Sequence, residues 1–225
     1  IVHSIMPKAG LLAMMAARFS QIPLRFHTFT GQVWVDSNFV KKSLLKKVDN
    51  LIANSTTFNL TDSKSQMEFL IRNNIVASNK IAIIGNGSIC GFDESIFIRN
   101  EFDRFCCRTH YKYKQDDIVF IFLGRMSKAK GIFSLLEVFL KLSAKYNNIK
   151  LLLVGPEEAG SKSLIIDFVN KNDINNLVIL IDNTLEPHKY LNVSDVLCLP
   201  SEREGFGSVV IEAGAMKIPT IGSRI

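Results

Sequence analysis

Two glutamates stand eight residues apart in the segment 200–219, whose sequence is PSEREGFGSVVIEAGAMKIP. The apolar run before this segment predicts a buried strand, and a helix is expected to begin at about Gly207. A helix that starts after a parallel strand offers free backbone N–H groups and a positive dipole end, which suit phosphate. The carboxylates of Glu204 and Glu212 can accept hydrogen bonds from sugar hydroxyls. The segment therefore predicts a site for phosphate and sugar, with a solvated surface turn as the alternative.

A second segment, 122–131 with sequence FLGRMSKAKG, places cations directly after another buried strand. Arg125 can grip a phosphate with two hydrogen bonds, and Lys128 and Lys130 add point charges. The alternative is a basic, solvated loop. A third strand ends in the Gly-Pro of LLLVGP at 151–156. Because the carboxyl ends of parallel strands share one edge of a sheet, the three loops together favour a binding crevice there.

The first half of the chain carries weaker signals. His27 ends a predicted strand in HTFTGQVW and precedes a glycine-containing loop, and a structural role is the alternative to a functional one. The GNGSICG segment at 85–91 resembles a dinucleotide fingerprint only loosely. Its last spacing is one residue too long and no helix pattern follows, so a dinucleotide cofactor site is not predicted there.

The net charge of +6 among 225 residues is a mild excess, and no basic stripe with interleaved aromatics points to nucleic acid. Much of the excess lies in FVKKSLLKKV at 39–48. Lysine pairs beside apolar residues can bind anionic lipid headgroups. A solvated helix with an inward apolar face is the alternative. The lysines in question are Lys41, Lys42, Lys46 and Lys47.

The four cysteines show no CxxC spacing, and Cys106 and Cys107 are adjacent, so neither a structural zinc nor a disulfide framework is expected. This cysteine pattern favours a reducing compartment.

No apolar run approaches the length of about 20 residues that a membrane-spanning helix needs. The sequence begins at Ile1 inside an apolar segment, which predicts a piece of a longer protein.

Strand-like and helix-like patterns alternate along most of the chain, which is typical of an α/β fold with mainly parallel sheets. The apolar period is lost in the charged segment between Asp93 and Asp117. We therefore expect a partial N-terminal domain at 1–92, a connection at 93–116 that is partly helical, and an incomplete C-terminal domain at 117–225. Strands are predicted at 1–3, 24–29, 51–54, 80–84, 118–123, 150–154, 177–181, 196–199 and 220–222. Helices are predicted at 8–20, 56–74, 130–146, 162–172, 186–193 and 207–217.

Three segments, taken in order, resemble the C-terminal domain of family 4 glycosyltransferases. Their sequences are GRMSKAKG, LLLVGP and SDVLCLPSEREGFGSVVIEAGAMKIPTIGS. EGFGSVVIE fits the E-x7-E motif of that family. The first half is similar to the family through RFHTFTGQVW, LIANSTTFNLTD and IAIIGNGSICGFD. The resemblance covers nearly the whole chain, with both ends of the family pattern missing. It implies the GT-B architecture, in which two Rossmann-like domains with mainly parallel sheets face each other across a cleft.

The resemblance also implies roles for individual residues. Arg125 and Lys130 match the cations that neutralise the leaving diphosphate, and Glu204 matches the residue that contacts the donor sugar. His27 matches a position beside the transferred sugar and the acceptor. The other implied donor-binding residues are Gly124, Gly155, Asn183, Thr184, Gly205, Phe206, Gly207, Ser208 and Glu212.

By this resemblance the protein is a retaining transferase that moves a sugar from a UDP- or GDP-type donor to a glycan or lipid-linked acceptor. The process implied is cell-surface polysaccharide synthesis, without a metal or other cofactor and without nucleic acid. The expected location is the cytoplasm, with peripheral contact to the inner face of the cell membrane. Two alternatives stay open: a nucleotide-sugar epimerase of the same fold and a catalytically silent binding fragment. Ile5 stands where relatives often carry a second histidine, so the residues that contact the acceptor are not predicted.

Overall fold

The computed structural model describes residues 1–35, 37–89 and 91–224. The chain divides into two compact units, the first running from Ile1 to Gly91 and the second from Phe92 onward. The segment 93–116, interpreted from sequence as a connection, packs with the second unit. Each unit is built on its own parallel sheet, so the predicted α/β class is confirmed.

The first unit alternates strands and helices around a four-stranded parallel sheet in the order β1-β2-β3-β4. Its core contains Met14, Phe29, Ile52 and Leu70, which join the sheet to its helices. The elements are β1 (Val2–Ser4), α1 (Pro7–Phe19), β2 (Arg25–Phe29), α2 (Phe39–Ser55), β3 (Phe58–Thr61), α3 (Lys64–Arg72) and β4 (Ile81–Ile83).

Two predictions in the first unit are wrong. The predicted strand at 51–54 is the last part of α2, because Ile52 and Ala53 continue the apolar stripe of that helix into the core. The predicted helix at 56–74 begins only at Lys64, after β3. Ser63 is its N-cap, and its side chain accepts a hydrogen bond from the backbone N–H of Gln66.

The second unit contains a five-stranded parallel sheet in the order β7-β6-β5-β8-β9. Apolar side chains fill both faces of this sheet, which explains its continuous rather than alternating apolar runs. The elements are α4 (Glu101–His110), β5 (Ile118–Leu123), α5 (Ile132–Ser143), β6 (Ile149–Val154), α6 (Ser161–Lys171), β7 (Val178–Ile181), α7 (Pro187–Val193), β8 (Val196–Leu199), α8 (Ser208–Ala215) and β9 (Thr220–Gly222).

A partly buried ionic cluster connects α4 to the second sheet. Arg104 and Arg108 both bond the carboxylate of Asp195, which lies just before β8. Arg108 also donates to the backbone carbonyls of Val193 and Lys114, at 3.1 and 2.9 Å. These bonds give the buried guanidinium several partners, and they explain why this charged segment packs with the second unit.

Among the described cysteines, Cys106, Cys107 and Cys198 are free thiols, while Cys90 lies outside the described residues. Among the described residues, no helix has the length and apolar character needed to cross a membrane.

Candidate active site

The order of strands in the second sheet determines where a ligand site can form. From β5 the chain moves outward in one direction to β6 and β7, then returns to place β8 on the other side of β5. The sheet therefore has a topological switch point at β5, where open α/β sheets leave a crevice at the strand carboxyl ends. The loops after β5 and β8 leave this same edge, because Ile121 pairs with Leu197 in parallel register.

These two loops are locked together by their backbones. The N–H of Glu202 donates to the carbonyl of Ala129 at 2.9 Å. Gly131 has a φ of 72°, and a Cβ added to it would lie 2.0 Å from the carbonyl oxygen of Pro200. Only glycine fits this approach, so Gly131 fixes how closely the two loops meet.

The locked loops bring two predicted site residues into contact. The Nζ of Lys130 lies 2.6 Å from both carboxylate oxygens of Glu204. The hydroxyl of Ser201 donates to Oε1 of the same carboxylate at 2.7 Å. The side chains of Lys130 and Glu204 are only 26% and 18% exposed, so the pair is partly shielded from water but still reachable. A cation and an acceptor thus stand side by side at the switch point.

The loop after β6 completes the edge. Gly155 has a φ of 137°, and a Cβ placed on it would lie 2.1 Å from the carbonyl oxygen of Gly124. The N–H of Met126 donates to the carbonyl of Pro156 at 2.8 Å. The predicted donor-site glycines 124 and 155 therefore lie against each other, and their contact joins the loop after β6 to the loop after β5.

Arg125 does not join the contact between Lys130 and Glu204. Its side chain is 60% exposed and its Nη1 lies 3.4 Å from Oε1 of Glu158, in the loop after β6. An exposed pair of this kind contributes little stability, about 0–1 kcal/mol. Arg125 is therefore free to change partner at little cost if an anion binds at this edge.

The start of α8 has the features expected of a phosphate site. Gly207, with a φ of 72°, is the N-cap residue and supplies no side-chain hydrogen bond to the helix. Phe206, Gly207 and Ser208 are partly exposed, and Gly205 precedes them in the same turn. Glu212 lies farther along α8, where burial raises the pKa of its carboxyl group.

The predicted residues Asn183 and Thr184 follow β7, at the same edge of the sheet but two strands from β5. The Thr184 hydroxyl accepts a hydrogen bond from the N–H of Glu186 at 3.0 Å. Asp182 pairs with Lys162 of α6 at 2.5 Å. This loop is thus ordered by local bonds and lies apart from the contact between Lys130 and Glu204.

His27 belongs to the first unit and is only 1% exposed. Its Nδ1 lies 2.7 Å from the hydroxyl of Ser4, and its ring meets Phe29 edge to face. A Cβ on Gly10 of α1 would lie 2.5 Å from its Cε1. Burial, and secondarily the nearby His3, lower the pKa of His27 to about 4. The ring is therefore neutral at physiological pH and can act there as a hydrogen-bonding group only.

The lowered pKa of His27 predicts a pH dependence of stability. Between pH 6.5 and 4 the unfolded chain binds a proton at this ring and the folded chain does not. The contribution of His27 to stability is therefore full above pH 6.5 and falls by about 1.4 kcal/mol per pH unit down to pH 4. Urea unfolding of His27→Gln should show a shallower acid slope than wild type. Equal acid slopes in wild type and His27→Gln would contradict the assignment.

Three residues that contact predicted site residues were not singled out from sequence: Ser201 and Glu158 in the second unit, and Gly10 in the first. Ser201 and Glu158 follow buried strands at the edge formed by the strand carboxyl ends, and this position in the sequence could have indicated them. Gly10 lies inside a helix, where glycine is unfavourable by about 1 kcal/mol relative to alanine, and such a position suggests a packing requirement. That requirement is the ring of His27.

Comparison with solved structures defines the class of fold. The chain superposes on the Anabaena protein Alr3699/HepE, solved in complex with UDP and glucose, with a TM-score of 0.83. That match has 16% sequence identity and covers 98% of this chain and 58% of the other. WaaG, a glycosyltransferase involved in lipopolysaccharide biosynthesis, gives a TM-score of 0.70 at 14% identity, covering 92% and 61%. The fold is of the GT-B type.

Sequence comparison then gives the family. Residues 108–225 match the model of glycosyl transferases group 1, and the chain belongs to this family. It is 31% identical over 227 residues to the capsular polysaccharide biosynthesis glycosyltransferase CapM of Staphylococcus aureus, which covers the whole chain and 58% of CapM. It is 27% identical over 135 residues to the O-antigen biosynthesis glycosyltransferase WclY of Escherichia coli, covering 60% of this chain and 36% of WclY. The chain thus spans little more than half of CapM, and the predicted family resemblance is confirmed.

Proposed function

We propose that the protein transfers a sugar from a nucleotide-diphosphate donor to a glycan or lipid-linked acceptor in cell-surface polysaccharide synthesis. The observation that carries this proposal is the contact of Lys130 with Glu204 at the switch point, beside the uncapped start of α8. Named relatives act in capsular polysaccharide and O-antigen biosynthesis, and a structural neighbour was solved with UDP and glucose. The base of the donor is of the UDP or GDP type in this proposal.

In this reaction the bond between the anomeric carbon and the donor phosphate breaks, and negative charge grows on the leaving diphosphate. In this proposal Lys130 and Arg125 stabilise that charge, and the backbone N–H groups at the start of α8 add their dipoles. Preorganised groups of this kind commonly supply a large part of catalysis. The proposal therefore assigns the charge stabilisation to side chains and backbone and includes no metal ion.

The acceptor oxygen then bonds to the anomeric carbon from the face that the phosphate leaves, and the configuration is retained. The acceptor proton passes to the leaving phosphate. Glu204 holds hydroxyls of the donor sugar, and Glu212 holds those of the ribose. The family resemblance assigns His27 a position beside the transferred sugar and the acceptor, but its ring is only 1% exposed, so this proposal gives it no direct contact with either.

Calorimetric titration with UDP-glucose, UDP-N-acetylglucosamine and GDP-mannose, followed by transfer assays, tests the proposed function. We expect one nucleotide type to bind, with transfer strongly reduced in Arg125→Ala and Glu204→Ala. Glu202→Ala, at an exposed glutamate of the same loop, should behave as wild type. A donor converted to its epimer without any acceptor would instead indicate the epimerase. Near-normal transfer by both site variants would remove those residues from the mechanism.

We also propose that the N-terminal part of α2 contacts the anionic inner face of the membrane. Phe39, Val40 and Leu44 are 87%, 77% and 62% exposed, and Lys41 and Lys47 are exposed beside them. Cations interleaved with exposed apolar side chains suit a surface of anionic headgroups. This placement would bring the protein to a lipid-linked acceptor.

The four lysines of this helix are not equivalent. The Nζ atoms of Lys42 and Lys46 lie 5.9 and 4.7 Å from the centre of the Trp34 ring, and Lys46 also donates to Asn73. These two lysines have partners within the first unit. The membrane proposal therefore depends mainly on Lys41 and Lys47.

Reversing both exposed charges, in Lys41→Glu with Lys47→Glu, should weaken binding to phosphatidylglycerol-containing vesicles by at least tenfold, since each lysine contributes about 1 kcal/mol. Cosedimentation measures this change. The matched control is Lys141→Glu with Lys145→Glu on the exposed side of the second unit, which should bind as wild type. Unchanged binding after replacement of all four α2 lysines would contradict the proposal.

A further inference from the structure

Ser201 is fully buried, with 0% exposure, directly after β8 and Pro200. A buried hydroxyl needs a hydrogen-bond partner, and among the described residues its partner is Oε1 of Glu204 at 2.7 Å. The bond spans three residues within one loop. Ser201 therefore links the rigid end of a central strand to a carboxylate in the candidate site.

The bond from Ser201 also restricts how the Glu204 carboxylate can turn. Lys130 alone is a compact point charge, which leaves a carboxylate free to rotate. With Ser201 and Lys130 both on Oε1, and Lys130 also on Oε2, the plane of the group is fixed. Each carboxylate oxygen has two acceptor positions. In the contacts described, Oε1 accepts from Ser201 and Lys130, and Oε2 accepts from Lys130, which leaves room on Oε2 for a further donor such as a sugar hydroxyl.

We propose that Ser201 is a positioning residue, which orients Glu204 so that Oε2 faces the donor sugar while Lys130 is held for the diphosphate. This inference rests on the proposed function. Loss of the hydroxyl affects the part of the site that touches the sugar. The nucleotide contacts of Lys130 and α8 remain, so turnover and donor affinity respond differently.

A double-mutant cycle tests the contact without any ligand. Urea unfolding is measured for Ser201→Ala, Glu204→Ala and the double variant. Ser201→Ala changes the unfolding equilibrium constant by one factor in the wild-type background and by another in the Glu204→Ala background. If Ser201 acts through Glu204, the first factor should exceed the second by about fivefold or more. The control cycle pairs Ser201 with the exposed Glu202 and should be additive. Additivity in the Ser201–Glu204 cycle would overturn the proposal, whatever the donor experiments give.

Kinetics then test positioning. With a donor that the wild-type protein transfers, Ser201→Ala should lower kcat about tenfold and change the donor KM by less than about twofold, because a hydrogen bond to a charged group is lost. Ser201→Thr keeps the hydroxyl and should restore most of kcat. Equal losses in both variants, or a change confined to KM, would overturn the inference. If the wild-type protein transferred no sugar, the proposed function would be contradicted. The double-mutant cycle would then still test the contact of Ser201 with Glu204.

Discussion

Replacing Lys130 with alanine is expected to lower the rate of sugar transfer by about 10²–10³-fold, the usual cost of removing one preorganised group that stabilises transition-state charge. The reason lies in its geometry. Lys130 is held by Glu204 within a shielded contact, so its charge is already in place when the diphosphate leaves. The substitution also leaves Glu204 without its cation, which adds to the loss.

The matched control is Lys128→Ala, which removes an exposed lysine from the same short turn. It changes net charge equally and should retain most of the activity. The measurement is the initial rate of transfer at saturating donor, with unfolding midpoints recorded to show that both variants are folded. Similar losses in both variants would mean that the loop acts only as a diffuse positive surface.

Substituting Gly131 by alanine is expected to destabilise the second unit by several kcal/mol and to abolish transfer. An added Cβ would lie 2.0 Å from the carbonyl oxygen of Pro200, which is backbone and cannot turn away. The loops after β5 and β8 would have to separate, and the contact of Lys130 with Glu204 would open. Clashes and strain of this kind are among the few causes of effects above about 4 kcal/mol.

Gly160 provides a closely matched control. Gly131 and Gly160 are both N-cap residues with φ near 70°, but a Cβ on Gly160 meets no atom within 4 Å. Gly160→Ala should therefore cost only the left-handed backbone penalty, about 1–2 kcal/mol. Urea unfolding of the two variants isolates the clash. Equal destabilisation would contradict the idea that the two loops are locked at Gly131.

Most of the second unit was predictable from sequence, because β5, β6 and β8 are largely apolar runs followed directly by Gly or Pro. The first unit was harder to predict. The end of α2 carries a short apolar run that a strand would also show, and its helical period is visible only when it is read from Phe39 onward. Short apolar runs are ambiguous for this reason.

Motif spacing predicts residues of the candidate site but not the contacts that they make. Lys130 and Glu204 are 74 positions apart, and only the strand order β6-β5-β8 brings their loops together. The pairing of Arg125 with Glu158, and the bond of Ser201 to Glu204, depend on side-chain geometry that motif spacing does not contain. The roles assigned to these residues in catalysis stay predictions.

The central claim is that a nucleotide diphosphate binds at the switch point of the second sheet. Its most direct test is an NMR titration of the isotope-labelled chain with UDP and GDP, following backbone amides. We predict saturable shifts with one of the two nucleotides, concentrated in residues 124–131 and 205–208. Shifts confined to other surfaces, or none with either nucleotide at millimolar concentration, would contradict the claim.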